Sequence, residues 1–270
     1  MRQIMVFCVG MSLAVTAMAQ RPESIGSLAP AVQTAVNRGA LLYLYDQAAW
    51  RGTDDLNARF AGLKPLLGGY VVTGEQADVQ LVFYDKARSK ALYRAKFAGQ
   101  KLTESGPPAA DRVALTAAEQ RLIAARAIAL KAFDDAKVRT CAKATPNLAL
   151  LPPALPTDPV RAYLMTPQTS MKSLPMGGHF EVDVFADGKP GKVRAFTQSC
   201  LELSTSGIGQ GKPRALMLSH LLDPNPTEIH VFSSLSARIP VYVLTMANRT
   251  LWAVTGSSVR IVPAGANKQK

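Results

Sequence analysis

Residues Ser219–Val243, SHLLDPNPTEIHVFSSLSARIPVYV, decide how the C-terminal half of this chain is read. They hold two of the three histidines and a turn stiffened by Pro224 and Pro226. Both prolines fix φ, and Asp223 and Asn225 favour turns through side-chain bonds to nearby backbone. Leu216, Leu218, His220 and Leu222 share one face at the period of two that a strand imposes, and so do Glu228, His230, Phe232 and Ser234 after the turn. The pattern predicts a β-hairpin with residues 223–227 as its loop, setting His220 against His230. Directly opposed residues have Cβ atoms about 4.5–5.5 Å apart, so this register puts two imidazoles together. A slip of one residue sends them to opposite faces.

Outward from that stretch the signals stay β. Val160–Met165 reads as a strand, and His179–Phe185 alternates up to Asp187-Gly188, a hairpin signal answered by Val193–Phe196. Val241–Met246, Leu251–Thr255 and Val259–Val262 follow. Residues 160–263 are therefore expected to form an all-β sandwich or small barrel, with 264–270 a disordered tail. Residues 144–159, ATPNLALLPPALPTDP, carry five prolines and read as an extended connector at a domain boundary. Before it, residues 20–143 read as an α+β unit. A helix over Ser27–Phe60, interrupted near Gly52-Thr53-Asp54-Asp55, leads into a small antiparallel meander. A second helix then starts at the capping box Thr116-Ala117-Ala118-Glu119. Tyr43, Asp46 and Trp50 share one flank of the first helix; a packed face with a polar edge accounts for them as well as a ligand pocket does.

The first nineteen residues have a basic start at Arg2, an apolar run from Ile4 and a small-x-small ending at Ala17-Met18-Ala19. That pattern predicts a secretory signal peptide, and no later apolar run is long enough to span a bilayer. Periplasmic or secreted localisation follows. Removing the leader takes Cys8 with it and leaves Cys141 and Cys200, which an oxidising compartment favours as a disulfide. The formal charge of +12 is spread over both halves. Export disfavours nucleic acid as a partner and points to an anionic component of the cell envelope or to a periplasmic protein; solubility alone also accounts for the charge. Lys86, Arg88, Lys90, Arg94, Lys96 and Lys101 make the meander its most basic part. They are an anion-binding candidate, or the solvated face of an edge-protected sheet.

The histidines are the constellation with a mechanism. His220 and His230 on one face, with Glu228 two residues from His230 and His179 from another strand, could hold zinc with an open position for water. The spacing matches no metal signature, and His220 shares its face with leucines, so histidines satisfied by backbone compete with that reading. A pH-responsive pair is the further alternative, since two adjacent imidazoles resist charging together. Gly207–Lys212 lacks phosphate-loop spacing, and Glu181 with Asp183 reads as a solvated strand face.

The segments Leu41–Trp50, Gly68–Val72, Gly177–Lys189 and Leu221–Val243 resemble exported bacterial proteins to which no activity is attached, which implies export and nothing about mechanism. Asp183–Phe196, DVFADGKPGKVRAF, is similar to strand pairs in periplasmic domains of energy-transducing proteins, but the anchor and proline stalk of those proteins are absent. The sequence thus predicts an exported, non-catalytic binding or envelope-associated protein with no cofactor. The alternatives are a zinc-dependent hydrolase using the His/Glu set and a periplasmic protein–protein adaptor.

Overall fold

The structure, a computed structural model, describes residues 29–206 and 215–263. The leader, the Gly207–Lys212 loop and the tail from 264 lie outside the described residues.

Helix α1 (Pro30–Arg59) runs unbroken. Pro30 starts it, where a missing N–H costs nothing. Its buried residues Val32, Val36, Gly39, Leu42, Tyr45, Ala49, Gly52 and Leu56 recur at helical spacing. The expected interruption near Gly52 is absent for a packing reason: a Cβ there would overlap Leu81 Cδ2, so this glycine is a helix–sheet contact rather than a stop. Asp55, within the expected interruption, binds Arg59 and accepts a hydrogen bond from the Tyr93 hydroxyl at 2.7 Å.

The meander follows as predicted: β1 (Leu67–Glu75), β2 (Asp78–Asp85), β3 (Ala91–Ala98) and β4 (Lys101–Gly106), antiparallel in that order. Helix α2 (Ala117–Asp135) begins at the capping box, with Thr116 and Glu119 bonded reciprocally. Next come β5 (Asn147–Leu151), β6 (Val160–Met165), β7 (Ser173–Pro175), β8 (Phe180–Val184), β9 (Arg194–Ala195) and β10 (Glu202–Ser204). The second sheet has the order β5-β6-β8-β9, while β7 and β10 pair as a separate ribbon. The proline-rich stretch is not wholly a connector. Its residues Asn147–Leu151 ladder with β6 as an edge strand, because the five residues between Pro146 and Pro152 are free of proline.

Strands β1 and β5 lie side by side with no ladder pairing between them, around a gap of about 20 Å³ lined by Tyr70–Val72 and Asn147–Leu150. The two sheets therefore act as one split layer. On one face α2 (Leu122, Ile123, Ala129, Phe133) packs on Val71 and Val82 from the first sheet and on Leu148, Ala162 and Val182 from the second. On the other, α1 (Leu42, Tyr45, Leu56) packs on Leu81, Phe97, Tyr163 and Phe196.

The third sheet overturns the hairpin. Strand β11 (Leu216–His220) is followed by helix α3 (Glu228–Ala237), then β12 (Val241–Thr245), β13 (Thr250–Thr255) and β14 (Ser258–Ile261). β11 pairs in parallel with β12, and α3 is the crossover that a parallel pair requires. Residues 228–235, expected as a strand, are helical because Pro226-Thr227 makes a helix entry: the His230 ring reaches back to accept the Thr227 N–H at 2.9 Å. Left-handed Arg238 (φ 56°) ends the helix. α3 crosses α1 at Gly39, where a Cβ would run into Val231 and the Glu228 carbonyl. α3 and the start of α1 cover the third sheet: Val32, Val36 and Val231 meet Leu216, Leu218, Val241, Val243, Trp252 and Val254.

The fold is thus mixed α+β with mostly antiparallel sheets; the expected all-β half contains α3, and among the described residues no sheet closes into a barrel. A Cys141–Cys200 disulfide ties the segment after α2 to the one between β9 and β10. Among the described residues no helix is long and apolar enough to cross a membrane.

Candidate functional site

One face of the second sheet carries charge where a core would carry hydrocarbon. The period of two puts Arg161 and Tyr163 of β6 on the same face as Glu181 and Asp183 of β8, and the register opposes Arg161 to Asp183 and Glu181 to Arg194. Opposed charges then pair. Arg161 holds Asp183 by two nitrogens at 2.7 and 3.0 Å. Arg194 donates to Glu181 Oε1 at 2.9 Å and to Asp223 Oδ1 at 2.6 Å. Asp223, from the turn after β11, reaches His220 Nε2 through its other oxygen at 2.8 Å. The His220 ring stands edge-on to that of His230, centroids 4.8 Å apart. Alongside, the Tyr163 hydroxyl donates to Glu228 Oε1 at 2.8 Å, with Arg38 of α1 3.8 Å away. The ladder thus runs from β6 across the sheet to α3.

Its electrostatics are unequal. Burial raises the Glu181 carboxyl, the Glu228 charge adds to this, and Arg194 and Arg161 oppose it only in part. Glu181 Oε2 is buried without a hydrogen bond, 3.9 Å from Arg161 Nε. Burial would also raise Asp223, but the His220 hydrogen bond and the Arg194 charge hold it below its ordinary value. Burial, then His220, pushes His230 down to about 3. His230 is therefore neutral at pH 7, and since Nδ1 accepts from Thr227, its proton sits on Nε2.

Above this ladder opens a cleft of about 950 Å³, walled by β8, by residues 192–195 and 197–200, and by Arg139 and the disulfide. No family model, curated protein or solved structure matches this chain. The chemistry of the site is therefore argued from its own residues.

Of the predicted metal set, the fold brings His220 and His230 together, by a parallel crossover rather than a hairpin. Glu228 turns to Tyr163 instead. His179 is buried with both ring nitrogens on backbone: Nδ1 accepts from Thr166 N at 3.2 Å and Nε2 faces the Pro175 carbonyl at 3.2 Å. Burial pushes it down to about 4. Among the described residues no group of three or more His, Cys, Asp or Glu is spaced to hold a metal ion.

The basic set of the meander does not gather. Lys86, Arg88 and Lys90 lie in or beside the β2–β3 turn, which Asp85 closes by accepting from the Ser89 and Lys90 amides. Lys101 is exposed at the start of β4. Arg94 holds both Glu119 oxygens, and Lys96 lies 3.5 Å from Glu104. Tyr43 accepts from Gln100, Asp46 is pushed up to about 6 by burial, and Trp50 is exposed.

Arg161, Tyr163, Arg194 and Asp223 escaped the sequence reading, and the Glu181–Asp183 pair was misplaced in solvent: those side chains are only 15% and 30% exposed. The available signal was alternation of opposite charge on neighbouring strands, Arg161-x-Tyr163 against Glu181-x-Asp183.

Proposed function

We propose that this chain is an exported, non-catalytic binding protein of the cell envelope, and that its ligand occupies the cleft beside the disulfide. The observation that carries the reading is that cleft, about 950 Å³ and open over a floor of charged groups already paired with one another. A volume near the upper end of ordinary ligand pockets suits a small molecule or short oligomer. The predicted metal set is withdrawn from it: His220 and His230 are 2% and 3% exposed, and Glu228 is held by Tyr163, while the lining carboxylates Glu181 and Asp183 are held by arginines. The disulfide is compatible with an oxidising compartment.

Native mass spectrometry of the protein recovered from an envelope fraction tests this. The expected result is a bound non-metal species that an Ala195→Trp variant, which projects an indole into the cleft, no longer carries. The rival, a zinc-dependent hydrolase on His220, Glu228 and His230, predicts stoichiometric zinc that His220→Ala removes. That finding would overturn the binding reading.

A further inference from the structure

Charged side chains from both walls line the cleft: Arg139, Glu181, Asp183, Lys192 and Arg194. Both carboxylates are already matched, Asp183 by two nitrogens of Arg161 and Glu181 by Arg194. Arg194 is matched too, since its other nitrogen is on Asp223 and its guanidinium lies 4.6 Å over the Phe196 ring. What remains of the lining charges is Arg139 and Lys192, both exposed and, among the described residues, in no ion pair with a carboxylate. A guanidinium and an ammonium lining one concavity, against apolar wall from Phe180, Val193 and Leu222, focus a positive potential into it. Arg139 lies two residues before Cys141, and the wall segment containing Lys192 ends at Cys200, so the disulfide ties together the two segments that carry these cations.

We propose that the cleft binds its ligand through an oxyanion, a carboxylate or a phosphate, taken between Arg139 and Lys192 while an apolar part lies against Phe180, Val193 and Leu222. Arginine matches either oxyanion through two N–H groups, and lysine adds a point charge. The volume exceeds what a bare ion needs, so the anion is one end of a larger molecule. This rests on the binding reading above and names the chemistry of its ligand.

Calorimetric titration of the whole mature protein at low ionic strength, with octanoate, octyl phosphate and octan-1-ol below their aggregation limits, tests it. One or both anions should bind one-to-one, and the alcohol roughly tenfold more weakly or worse. Which anion binds tells carboxylate from phosphate. Arg139→Ala with Lys192→Ala should weaken that binding roughly tenfold or more, while Lys86→Ala with Lys90→Ala, the same charge loss on the meander, should leave it unchanged. All four side chains are exposed, so both variants should fold. Equal binding by parent and cleft variant, or equal loss in the two variants, would overturn the proposal. Failure of both anions to bind, with a neutral molecule carried in the cleft, would overturn it and leave the binding reading intact.

Discussion

Two sheets of this molecule carry opposite charges across neighbouring strands, and they use them differently. On the meander, Arg94 satisfies both Glu119 oxygens and two backbone carbonyls, so the pair completes the cap of α2. Glu104, half exposed, sits between Lys96 and Arg112. On the second sheet the ladder begins with equally good geometry at Arg161–Asp183 but ends with a buried Glu181 oxygen lacking a hydrogen bond and two packed imidazoles. Arginine–carboxylate pairing from a strand thus either finishes a structural joint or holds unrelieved charge beneath a cleft. Which of the two results depends on whether each carboxylate oxygen finds a donor: both Glu119 oxygens do, and Glu181 Oε2 does not.

The largest test of that contrast removes the staple on the cleft side. Cys141→Ser with Cys200→Ser opens a loop of 59 residues' separation and should cost about 4 kcal/mol in urea denaturation. A loss near zero would mean that the cleft wall holds itself. Next, Arg194→Ala strands Glu181 and Asp223. Breaking a buried pair costs about 3–5 kcal/mol, and with Arg194 35% exposed we expect about 2–3. A cost under about 0.5 kcal/mol would erase the difference between the ladders.

The third test is pH. His230, held near 3 when folded, recovers an ordinary value near 6.5 on unfolding. The unfolded chain therefore binds the extra proton between those values, and stability falls as pH drops below about 6.5. His179, near 4, acts in the same direction, whereas Asp46 and Glu181, both raised, oppose it. These three contribute alike to parent and His230→Asn, so the difference between the two proteins isolates His230. Between pH 6 and 5 the parent should lose about 1.2 kcal/mol more than the variant. Parallel curves would show that His230 already carries a proton in the fold. Glu119 of α2 and Glu104 of the meander, both held low, lose their contributions only below about 4.5, which keeps the two sets of ion pairs separable by pH. The smallest effect belongs to Glu104→Ala, which should leave the denaturation midpoint where it was.

The meander, the capped helix and the cysteine pair were legible because each is written locally, in alternation, in Thr116-x-x-Glu119 and in residue count. Helix α3 was not. It buries Glu228, Ile229, His230, Val231, Ser233 and Ser234, so no exposed face marks its period, and its β-branched residues mimic a strand. His220 and His230 were expected to meet and do, although the geometry that joins them is a crossover. The charged ladder was invisible because Arg161, Glu181, Arg194 and Asp223 become neighbours only once the β6-β8-β9 register and the placement of the third sheet are set. Gly52 was read as punctuation because sequence does not reveal that Leu81 presses against it.

The position of α1 has a consequence for how the chain comes into being. Its first turns, Val32 and Val36, find their cover among β11, β12 and β13, which are the last strands but one to leave the ribosome. Through most of synthesis that apolar stripe lacks most of its cover, and a polypeptide cut short at residue 206 keeps only the Leu174 and Met176 side of that cluster. Such a fragment should clump when made alone and dissolve when co-expressed with residues 215–263, since the two pieces together restore the missing lid.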